Sequence, residues 1–109
     1  MKKLTQHGGF QGDVVIIPVG RFPRDAQPTK NRKIALGEST GHYHHITGNV
    51  DVRETNTDFY FTVVPGEAGM IEHFGGDHET IEITPGIVWR VPKYSQREYD
   101  GENERRALD

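Results

Sequence analysis

Apolar residues in this chain come in short runs, and within them the pattern is that of a strand, not of a helix. Residues 13–19 read Asp-Val-Val-Ile-Ile-Pro-Val, a β-branched run that predicts a buried strand. Pro18 has no ladder N–H and is expected to end or bulge it. Ile34 to Leu36 starts a second strand, and His42 to Thr47 a third. Gly48-Asn49 then reads as a two-residue hairpin turn, with Val50 to Arg53 returning. Phe59 to Val64, Met70 to Phe74, His78 to Ile83 and Ile87 to Val91 follow, separated by Pro-Gly and Gly-Gly-Asp turns. Trp89 alternates with Ile87 and Val91 and is expected in the core.

The register of the 70–83 hairpin follows from charge. A two-residue loop would set Glu72 opposite Glu79, where like charges repel. A three-residue loop at 75–77 instead pairs Ile71 with Ile81 and His73 with Glu79. Ile71, Ile81 and Ile83 then face the core, and His73 and Glu79 end the same face.

Composition agrees with the pattern. Ile and Val number 17 and Thr nine, against seven for Leu and Ala together. Helices favour the second pair and pleated, half-buried surfaces the first. With 13 Gly and six Pro for turns, the expectation is an all-β chain: a single-domain barrel or jelly roll of about seven short strands. At most one short helix is expected, near the C-terminus at 102–108. The 109 residues form one domain. Residues 1–12 read as a flexible arm, 20–33 as a basic loop and 100–109 as a charged tail.

Net charge is −3 and Cys is absent. No disulfide frame, thiolate metal site, secretory leader or membrane span is expected, and the expected location is cytoplasmic. Mild acidity disfavours general nucleic-acid binding, although the basic loop (Arg21, Arg24, Lys30, Arg32, Lys33) leaves a local contact open. Exposed sheet edges favour a homo-oligomer.

The chemistry concentrates in His42-Tyr43-His44-His45, three of the six His. On a strand, His42 and His44 share one face and His45 takes the other. Two imidazoles at that spacing suit one divalent ion, Zn, Mn, Fe or Ni, with His78 as third ligand and an open position for substrate. Glu38 would be base or extra ligand, with His73 and Glu79 in reserve. Arg97 would clamp a carboxylate or phosphate. The competing reading gives these histidines a structural role, hydrogen-bonded within the fold.

Gly37 with His42-x-His44, then Pro85-Gly86 and a strand stopped by Pro92, resembles the two cupin motifs, which implies a jelly roll and a metal. The resemblance covers about residues 37–97 and carries over only His42 and His44. The usual Glu is not at its spacing, since Glu54 comes ten residues after His44, and the second motif's His is missing, its neighbourhood being Ser95-Gln96-Arg97. More closely, the chain resembles a family of small uncharacterised bacterial and phage proteins. The residues that carry this are Gly12-Asp13-Val14, Gly37-Glu38-Ser39-Thr40-Gly41-His42-Tyr43-His44, His78, Pro85-Gly86 and Gln96-Arg97-Glu98-Tyr99.

The leading expectation is therefore a small β-domain whose His pocket binds a divalent metal and acts on a small molecule. The alternative is a non-enzymatic binding or assembly module for a nucleotide, peptide or protein, using the basic loop, Arg97 and the tyrosines.

Overall fold

The computed structural model describes residues 2–11, 14–34, 43–74 and 79–93, Phe74 by its backbone alone. The described residues are all-β, with no helix. The strands are β1 (Lys2–Lys3), β2 (Gly9–Gln11), β3 (Val14–Val19), β4 (Gln27–Pro28), β5 (Lys33–Ile34), β6 (Tyr43–Gly48), β7 (Val50–Glu54), β8 (Asp58–Val63), β9 (Gly69–Phe74), β10 (Ile81–Glu82) and β11 (Val88–Pro92). They form two sheets, ordered β1-β10-β9-β6-β5 and β2-β3-β11-β8-β7-β4. No helix among the described residues is long and apolar enough to cross a membrane.

The expected closed barrel is not what forms. The chain lays down β5–β6 in the first sheet, β7–β8 in the second and β9–β10 in the first again. Each sheet keeps two short edge strands instead of zipping to its neighbour. The core lies between them, drawing Ile34, Ile46, Ile71 and Ile81 from one sheet and Val14, Ile16, Phe61, Trp89 and Val91 from the other. Burying the inner face of each sheet against the other is what holds the pair together. Trp89 is buried as expected, opposite Phe61 and Pro18.

Gly48-Asn49 is a corner between sheets, not a hairpin turn. A hairpin there would set inward Ile46 against Asp51, and His45 against Val52, out of phase on both strands. β6 instead pairs with β9, from Tyr43↔Phe74 to Gly48↔Gly69. β7 starts afresh in the other sheet, where Val50 and Val52 reach the core. The corner is fastened by Asn49 N–H on Ala68 O and Val64 N–H on Asn49 O. Gly48 sits at φ +95, and a Cβ there would run into the Ala68 carbonyl. Gly48→Ala is therefore expected to cost more than about 1–2 kcal/mol, the left-handed penalty alone, read as a lower urea midpoint with unchanged slope.

Residues expected as a loose arm carry β1 and β2. Lys2 and Lys3 run parallel to β10, and Leu4 seals the sandwich beside them. Gln11 on β2 is 2% exposed. Pro18 does not end β3, which runs on to Val19. β2 reaches only to Gly9, opposite Ile16, so Pro18 lies past the end of that neighbour. The basic loop contains β4 and packs through Phe22, whose ring lies 4.3 Å under the Arg53 guanidinium. The expected C-terminal helix and charged tail fall outside the described residues.

On the outer face of the second sheet, Arg90 pairs with Asp58 at 2.9 Å. At its end Lys93 Nζ reaches Glu54 Oε1 at 2.9 Å and lies over the Phe59 ring. Hydrogen bonds from Lys93, first, and Thr29 hold the Glu54 carboxyl below its ordinary range, against an opposing effect of burial. A depressed native pKa adds stability at neutral pH that is lost as pH falls through that pKa. Lys93→Met is expected to raise the Glu54 pKa in a carboxyl NMR titration and to flatten the acid limb of the stability curve. An unmoved titration would show that the pair is not formed.

Candidate histidine site

The first sheet carries its chemistry on one inward-facing row. Register places Ile34 of β5 beside His44 of β6, and His44 beside His73 of β9. The adjacent row is Ile46, Ile71 and Ile81, all buried. Two imidazoles thus occupy positions where the next row has only isoleucine. Strand alternation puts them there, since His44 and Ile46 share a face and so do Ile71 and His73. His44 is 6% exposed, while His45 on the opposite face is only half-buried.

The expected register of the β9–β10 hairpin is present, with Ile71 opposite Ile81. Its ladder ends there, and the Glu79 carbonyl is bound instead by Gln11. The Glu79 side chain is exposed. The 75–77 loop lies outside the described residues.

His44 and His73 stack face to face, ring centroids 4.2 Å apart and planes 3° from parallel. This decides one question of ligation. Parallel rings direct their lone pairs along parallel planes, and an ion about 2.1 Å from a ring nitrogen lies in that ring's plane. One ion therefore cannot sit in the plane of both. His73 is a wall against His44 and not its co-ligand, so it leaves the reserve set.

The Nδ1 atom of His44 is 2.7 Å from Gln11 Oε1. Gln11 comes from β2 of the other sheet and spans the core, with Nε2 at 2.9 Å from both Ile71 O and Glu79 O. Sequence reasoning missed Gln11, because its partners lie 33, 60 and 68 residues away. Nothing in Gly9-Phe10-Gln11 itself distinguishes it from a loop glutamine.

Of the candidate ligands, the structure places His44 on the inner face at the end of the sheet. His42, His78, Glu38 and Arg97 lie outside the described residues. Among the described residues no three His, Asp or Glu side chains converge on one point. Two shallow grooves lie elsewhere, one lined by Asp25, Gln27, Glu54, Thr55, Asn56 and Lys93, the other by Arg21, Phe22, Pro23 and Arg24.

A family model described as a domain of unknown function, DUF8820, matches residues 10–93. That span takes in β3 to β11 and His44, His73 and Gln11. No curated protein and no solved structure matches the chain.

Proposed function

We propose, for a chain that belongs to the DUF8820 family, that His44 belongs to a divalent-metal site at the end of the sandwich, open to a small-molecule ligand. The observation that carries this is the placement of His44, a buried imidazole on the core face of a strand whose next inward residue is Ile46. Burying a polar ring there costs free energy unless it is hydrogen-bonded, a need that Gln11 meets at Nδ1, and an apolar residue would serve packing alone better. In this reading His44 Nε2 is one ligand, His42 and His78 supply two more, and Glu38 and Arg97 meet the substrate. Zn, Mn, Fe and Ni all suit imidazole. A metal so held would polarise a bound oxygen or lower the pKa of a bound water. The resemblance of His42-x-His44 to the first cupin motif supports the same assignment.

Metal-depleted protein titrated with Zn, Mn, Fe(II) and Ni tests this directly. One equivalent bound, with a rise in melting temperature through mass action, is expected for at least one ion. No binding and no thermal shift with any of the four would refute the assignment.

A second reading, self-association, rests on a different observation. Phe10 is 54% exposed, the one exposed large hydrophobic among the described residues, and lies on edge strand β2. Edges β1, β5 and β4 carry Lys2-Lys3, Lys33 and Pro28, which discourage pairing with a second copy. The described β2 carries neither charge nor Pro. Sedimentation is expected to show a concentration-dependent dimer that Phe10→Lys dissociates. A monomer at every concentration would dispose of it.

A further inference from the structure

We infer that Gln11 is a positioning residue for His44: it fixes the ring proton on Nδ1, makes Nε2 the ligating nitrogen, and ties the His44 strand to the segment that follows His78. The consequence for ligation rests on the metal reading above; the proton assignment does not.

The amide orientation follows from its partners. Ile71 O and Glu79 O are backbone carbonyls and can only accept, so the Gln11 atom 2.9 Å from both is the NH₂ group. The flipped amide would press its oxygen against two carbonyl oxygens. Both N–H bonds are thereby used, and Oε1 is left facing His44 Nδ1 at 2.7 Å. An amide oxygen has no proton to give, so Nδ1 carries the hydrogen and donates it. In the neutral ring the lone pair is then on Nε2. A ligating histidine commonly donates its other ring N–H to an acceptor that orients the ring. Here the acceptor comes from the opposite sheet.

Glutamine is the side chain that meets all three demands. Glutamate would still accept from Nδ1 but would face the two carbonyls with oxygen. Methionine would fill the space and make none of the three bonds. Asparagine is one methylene too short to cover the same span.

The test starts with metal-free wild-type protein and the ring nitrogens of His44 by ¹⁵N NMR at neutral pH. The expected signature is a protonated Nδ1 and a lone-pair Nε2. Gln11→Glu is expected to keep that signature. Gln11→Met is expected to lose it and populate both tautomers. Zinc affinity should then fall by about 10–100-fold in Gln11→Met, the range for outer-shell partners of metal-bound histidine, and by less in Gln11→Glu. A wild-type His44 with its proton on Nε2 overturns the inference, and that measurement needs no variant to fold. An unchanged tautomer and affinity in Gln11→Met overturns it as well. The expected tautomers with no zinc bound by any form would uphold Gln11 as the positioning residue and remove only the metal reading.

Discussion

On the proposed metal reading, His44→Ala is expected to weaken divalent-metal binding by more than the roughly 100-fold that marks the loss of an outer-shell partner, because it would remove a ligand outright. It also leaves Gln11 Oε1, a buried acceptor, without the Nδ1 donor it faces at 2.7 Å. An orphaned buried group of this kind costs about 1–3 kcal/mol, so the apo protein should melt lower too. His45→Ala is the control. It lies one residue along the same strand but points to the opposite face, and should leave metal affinity intact. Calorimetric titration of the two variants side by side decides the matter. Equal affinity in both would mean that metal binding does not use His44.

The largest stability effect is expected at Trp89. The ring is 0% exposed and its Nε1 donates to Thr84 O at 3.3 Å. Trp89→Ala should cost about 3–5 kcal/mol, the range for emptying an aromatic site in a packed core. Domains of this kind have only about 5–15 kcal/mol in total. With each kcal/mol worth roughly 4–8 °C in a chain of this size, the melting temperature should fall by at least about 12 °C. Trp89→Phe should cost much less, since it keeps most of the buried area. A fall of under about 1 kcal/mol in Trp89→Ala would mean that the ring is not held between the sheets. The His44 and Trp89 variants probe different parts of one interface.

Much of the fold is legible in the sequence because strand formation is a local matter of side-chain period. The runs read at 13–19, 59–64, 70–74 and 87–91 announce themselves through β-branched and aromatic residues, and β3, β8, β9 and β11 lie there within a residue at either end. The Ile71↔Ile81 register is legible too, because the two-residue loop that competes with it would set Glu72 opposite Glu79. The short strands β1, β2 and β4 are not. Lys2-Lys3, Gly9-Phe10-Gln11 and Gln27-Pro28 have no apolar period, and pairing with distant strands makes them extended.

The site divides the same way. That His44 and Ile46 share a face is a property of any strand, and the sequence alone determined it. So was the burial of Trp89 and the turn residues that separate the runs. Which sheet each hairpin joined was left to the tertiary structure. Gly48-Asn49 is compatible with a turn or a corner when read locally. The choice fell to Ile46 and Val52, which can both reach the core only from opposite sheets. The partnership of Gln11 with His44, and the stacking of His73 on the same ring, were decided there as well. The physical reason is range. Side-chain period acts over two to four residues, whereas hydrogen bonds across a core join whatever the sheets bring within 3 Å, at any distance along the chain.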